Sequence, residues 1–193
     1  MQKILLAAVM AVSSLASAHE LWVNAPDSIA AGDTLKADLA YGHDYPAAEP
    51  IDGDRLHIFK PLQLIDSSGN VQELQQKGGN YQYESKDKPG KGTYWLGAVY
   101  QPTFWSKNKD GWKQQNLTEM PDADTCQQAQ MFGKKLLVVG GAAVDVAAIS
   151  KPVGHHLEIV PLADPTRIKI NERFPLQIYY GGKPLAGATV TAT

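Results

Sequence analysis

The residues of this sequence best suited to chemistry are its five histidines, and one of them holds a special position. His19 follows Ala16-Ser17-Ala18, which is preceded by the apolar run Ile4 to Val12 and by Lys3. A basic start, a short apolar stretch and small residues before a junction are the marks of a cleaved export signal. Residues 1–18 therefore read as a signal peptide, and His19 as the mature N-terminus of a periplasmic protein. The apolar run is well short of the roughly 20 residues a membrane span needs, so no membrane insertion is expected after cleavage. Cleavage would change what His19 can do. A free α-amine and the Nδ1 of the same histidine can close a chelate ring on one ion. One or two further imidazoles would then complete a site for Ni, Co or Cu.

Four other histidines could supply them. His43 sits in Tyr41-Gly42-His43-Asp44-Tyr45-Pro46, just past a strand end, where loops carry function. His57, beside Phe59 in what reads as a strand, is expected to be structural. His155 and His156 are adjacent, so in an extended segment they point to opposite faces and one site would take one of them. If Leu157 and Ile159 face a core, His156 and Glu158 face outward, and His155 reaches a site at the strand end. Cys126 is the sole cysteine, which forbids an internal disulfide and leaves either a small buried hydrophobe or a soft-metal or regulatory thiol. No HExxH, CxxC, P-loop, GxGxxG or GxSxG occurs in residues 19–193, and nothing points to the serine of a Ser-His-Asp triad.

The elements that must position these residues read as strands. Thr34 to Tyr41 alternates, with Leu35, Ala37, Leu39 and Tyr41 on one face. Extended runs recur at Glu20 to Val23, Arg55 to Ile65, Val71 to Leu74, Tyr81 to Tyr83, Gly92 to Val99, Leu136 to Val139, Gly154 to Pro161, Thr166 to Ile170, Phe174 to Tyr180 and Ala188 to Ala192. Phe104 to Met120 is polar and basic and reads as a long exposed loop. One short helix is expected from Asp122 to Met131, with Asp122 or Asp124 as its N-cap. Twenty-nine Gly and Pro residues spread over 193 leave little room for long helices. The fold class is thus all-β: an Ig-like β-sandwich over residues 19–163 with one short helix. Residues 164–193 follow as the incomplete start of a second sandwich, and a chain that breaks off inside a strand is expected to be a fragment. A formal charge of -2 argues against a nucleic-acid partner.

Four segments together resemble the DUF4198 family. They are the mature start His19-Glu20-Leu21-Trp22-Val23, the Tyr41 to Pro46 loop, Gly154-His155-His156-Leu157-Glu158-Ile159-Val160-Pro161-Leu162, and Gly182-Lys183-Pro184-Leu185-Ala186-Gly187-Ala188. Members of that family are described as periplasmic components of cobalt or nickel uptake systems. The last segment is similar to the opening of a transthyretin-like, Ig-type sandwich. The resemblance implies a divalent transition metal, Ni or Co before Cu, held by His19 and His43 with His155 or His156, and passed to a membrane transporter. On this reading the protein is not an enzyme. Two other classes remain open: a copper-dependent oxidative enzyme built on the N-terminal histidine chelate, and a cell-envelope module with no ligand.

Overall fold

The computed structural model describes residues 19–79 and 81–191. The expected signal peptide therefore lies outside the described residues. The protein is all-β, with 44% of residues in strands, arranged in three sheets. The first sheet runs β1 (Glu20–Asn24), β3 (Lys36–Gly42), β7 (Gln82–Glu84) and β6 (Gln75–Gln76). The second runs β2 (Ser28–Ile29), β10 (Thr125–Val139), β8 (Gly92–Asn108), β4 (Gln63–Ile65) and β5 (Val71–Glu73), with β9 (Gly111–Lys113) paired to the far end of β8. The third holds β11 (Leu157–Pro161), β12 (Leu176–Tyr180) and β13 (Lys183–Pro184).

Alternation explains how the first two sheets close on each other. Leu21, Val23, Ala37, Leu39 and Tyr83 from one sheet share a buried cluster with Leu64, Leu96, Ala98, Tyr100, Leu137 and Val139 from the other. Two half-buried sheets with one apolar face each have to bury those faces together, and a sandwich is the result. Gly133 sets the closest approach. A Cβ there would lie 2.7 Å from the Leu21 carbonyl oxygen and 3.0 Å from the Trp22 Cα, so only glycine lets β1 cross β10 at this point.

Several expectations are corrected. Asp122 to Met131 is not a helix: residues 125–139 form β10, paired with β8 from Thr125↔Lys107 to Val139↔Gly92. The α-helix found among the described residues is α1 (Val146–Ile149), capped by Asp145 accepting from the Ala148 N–H. Phe104 to Met120 is not all loop, since β8 continues to Asn108 and β9 turns back on it. Arg55 to Ile58 belongs to a 3-10 turn, Gly53–Ile58, and not to a strand. Thr166 to Ile170 and the described part of Ala188 to Ala192 are not strands either.

Candidate metal centre

Strand register brings the first two histidines together. β1 pairs antiparallel with β3 through Leu21↔Tyr41 and Glu20↔Gly42. One more step of the same register sets His19 opposite His43. Side chains alternate along a strand, so both stand on the face of Leu21, Leu39 and Tyr41, at the rim of the sandwich core. Their ring centroids are 3.7 Å apart.

The loop beyond His43 adds a carboxylate. It doubles back through a bridge between Asp44 and Ala47 and passes a cis Tyr45-Pro46 bond. The Glu49 N–H then donates to the Tyr41 carbonyl at 2.8 Å. Glu49 Oε1 accepts from the His43 backbone N–H at 3.0 Å and lies 2.7 Å from His43 Nδ1. Glu49 Oε2 lies 3.8 Å from His19 Nε2. Gly42 makes this return possible, because a Cβ there would sit 3.1 Å from Glu49 Cγ and 3.2 Å from its backbone nitrogen. The three side chains offer ligand atoms that all lie within 4.8 Å of one another.

Beneath them is an aromatic floor. The His19 ring stacks on Tyr41 with centroids 4.6 Å apart and planes 6° from parallel. Tyr41 meets Phe59 edge-on at 5.4 Å and stacks over Tyr100 at 6.2 Å. Trp105 Nε1 donates to the Tyr100 hydroxyl at 2.7 Å, and the Arg55 guanidinium lies over the Trp105 ring at 5.3 Å.

The electrostatics shift two of the three groups, His19 and Glu49, in the same direction. Burial, and then the neighbouring His43, lower the pKa of His19 below its ordinary 6.5, against an opposing pull from Glu49. Neutral imidazole is the form that binds a metal. The hydrogen bond from the His43 side chain, and then that from its backbone N–H, hold the Glu49 carboxyl below its usual range. An ionised carboxylate only accepts, so His43 Nδ1–H is the donor to Glu49. Burial, then Tyr100, push the Tyr41 phenol up to about 12, which keeps it neutral beside the site.

The other histidines considered from the sequence sit elsewhere in the fold, as their contacts make plain. His57 lies in the 3-10 turn with its ring 3.0 Å from the Gln114 side-chain amide. His155 is buried against the outer face of the second sheet, stacked on Phe132 with centroids 5.1 Å apart. His156 is exposed and meets Tyr180 edge-on. Neither His155 nor His156 belongs to the group formed by His19, His43 and Glu49. The expected faces are also reversed: Leu157 and Ile159 are about half exposed, whereas Glu158 is buried. Its carboxylate pairs with Lys134 at 2.7 Å and accepts from the backbone N–H groups of Val153 and Gly154. Cys126 is a free, half-buried thiol on β10. Glu49 is the functional candidate that the sequence reading missed. The available signal was an acidic residue six positions after His43 in a Gly/Pro-rich loop, where a chain reversal returns it to its own start.

A family model described as a domain of unknown function, DUF4198, matches residues 16–193. The chain belongs to the DUF4198 family. The resemblance noted in the sequence thus holds over the whole described chain of this DUF4198 member. No curated protein and no solved structure matches it. Among the described residues, no helix is long and apolar enough to cross a membrane.

Proposed function

We propose that this protein is a periplasmic binding protein for a divalent transition metal, Ni or Co before Cu, which it hands to an uptake transporter. The observation that carries this reading is the convergence of His19, His43 and Glu49 at the rim of the sandwich. Two imidazoles and one carboxylate form a donor set suited to the later first-row divalent ions. Signal cleavage after Ala18 would add the His19 α-amine as a further nitrogen. The proposed protein is a carrier and not an enzyme, and copper-loaded protein is expected to give no ascorbate-driven peroxide above free copper.

Isothermal titration of protein beginning at His19 tests the reading. His19→Ala and His43→Ala are each expected to weaken Ni²⁺ binding at least tenfold, with His57→Ala within about twofold of the parent; loss of one good ligand commonly costs more than the 1.4 kcal/mol of a tenfold change. Equal binding by all three variants would refute the site.

A further inference from the structure

Beyond β9 the chain carries Gln114-Gln115-Asn116, a run of amides that the metal reading leaves unused. The backbone of this loop is firmly held. The buried Ser106 hydroxyl donates to the Gln115 carbonyl at 2.7 Å. Asn116 Oδ1 accepts from the Thr118 and Glu119 N–H groups, and Glu119 Oε2 accepts from the Asn116 N–H at 2.8 Å. The N–H of the buried Met120 then donates to the Asn116 carbonyl at 3.0 Å. Between this loop, the 3-10 turn Gly53–Ile58 and the middle of β8 lies an open cleft of about 340 Å³. Two bonds join its walls: Gln101 Nε2 donates to the His57 carbonyl at 3.1 Å, and Gln114 Nε2 donates to His57 Nε2 at 3.0 Å.

These bonds use only part of the polar capacity of the lining. Among the described residues, the Gln115 side-chain amide has no hydrogen-bond partner. The same holds for Asn116 Nδ2, Glu119 Oε1 and the side-chain oxygens of Gln101 and Gln114. An amide donates and accepts side by side, and so does a hydroxyl. An anion only accepts, and it would meet the Glu119 carboxylate with no Lys or Arg in the lining to offset it. A cation would find one carboxylate alone. Beside the amides stands an apolar surface, the 44% exposed ring of Phe104. We propose that the cleft binds a neutral saccharide, whose hydroxyls pair with the spare amides and Glu119 while the C–H face of a ring lies on Phe104. The volume is at the lower end of the usual range for small-molecule sites, which suits about one or two sugar units. A loop already fixed by its own backbone bonds loses little freedom on binding. The cleft shares no residue with His19, His43 and Glu49, so the proposal stands apart from the metal reading.

The probes are cellotriose, maltotriose and triacetylchitotriose, with trigalacturonate as the acidic control, followed by calorimetry and saturation-transfer NMR on metal-free protein. At least one neutral trisaccharide should saturate at one per protein with a Kd below about 5 mM, and trigalacturonate should bind at least about tenfold more weakly. Phe104→Ala and Gln115→Ala should each weaken that sugar at least about fivefold, a loss on the scale of one or two neutral hydrogen bonds. Neither side chain belongs to the buried core, and melting curves would show that both variants stay folded. Glu119→Gln keeps an oxygen for the Asn116 N–H but removes the charge, so trigalacturonate should gain on the neutral sugar. Beads of cellulose, starch and chitin separate the two sources of such a ligand. Retention on the matching beads assigns the cleft to a polymer, and binding of the trisaccharide alone assigns it to free sugar. Saturation by none of the three trisaccharides, a preference for trigalacturonate, or unchanged binding by both alanine variants would overturn the proposal.

Discussion

His19 is held in place by two independent facts: its register opposite His43 and its stacking over Tyr41. The burial of its ring has a consequence for pH. A ligand with a lowered pKa yields to protons only at lower pH, and Glu49, also lowered, stays ionised further down. Loss of affinity through the His19 ring is therefore expected below about pH 6.5, the ordinary imidazole value. The α-amine, with an ordinary pKa of ~7.7–8.0, would begin to lose metal higher up. A competition titration from pH 8 to 5 should show both phases for protein starting at His19. Acetylating the amine should abolish only the upper one. A flat profile would mean that carboxylates alone hold the ion. The sequence reading named His19 and His43 together, and strand register does bring their rings side by side. It did not name Glu49, since the place of that residue depends on a chain reversal that only Gly42 and the Asp44–Ala47 bridge bring about.

At the scale of elements, the site depends on β1 lying flat across β10. Gly133→Ala would force a methyl group against the Leu21 and Trp22 backbone, which cannot rotate away. The expected cost is about 1–3 kcal/mol, typical of overpacking in a filled core. The same shift should weaken metal binding, because β1 carries His19. Chemical denaturation and a Ni²⁺ titration of this variant check both, and an unperturbed variant would show that the crossing is looser than described. Strand β3 was readable because one face is buried and its apolar residues alternate. β10 was misread as helical because Gln127, Gln128, Ala129 and Met131 carry no such alternation and favour helix locally. Its strand state comes from long-range pairing with β8, which outweighs that local preference. The adjoining arm of β8 looked like a loop for a related reason: its inward positions carry Thr103, Ser106 and Asn108, which are buried with their hydrogen bonds satisfied and give no apolar alternation.

For the whole molecule, the third sheet is tied to the sandwich at a buried joint made by Lys134, Glu158 and His155. Lys134 Nζ also lies 4.4 Å from the centre of the Trp95 ring. Burial is the main reason that the His155 pKa falls to about 4, with Lys134 lowering it further and Glu158 opposing. Its unfolded value is ~6.5, so between the two the unfolded chain binds more protons than the folded one. The His155 contribution is fully present above pH 6.5 and is lost as pH falls toward 4, by on the order of 3 kcal/mol. Urea melts at pH 7.5 and 4.5 should show that loss, and His155→Gln should flatten it. An unchanged slope in the variant would place the acid sensitivity elsewhere. The reversed faces of β11 follow from this joint: periodicity put the apolar Leu157 and Ile159 inward, but an ion pair with backbone hydrogen bonds on Glu158 claimed that side.

The central claim, that His19, His43 and Glu49 hold one divalent ion, is tested most directly by locating the ion. Crystals of protein beginning at His19 would be soaked in Ni²⁺ and measured at the nickel absorption edge. The account predicts an anomalous peak at coordination distance, roughly 2.0–2.2 Å, from an imidazole nitrogen of both His19 and His43. A peak at His155 or His156 instead, or none at the sandwich rim, would contradict it.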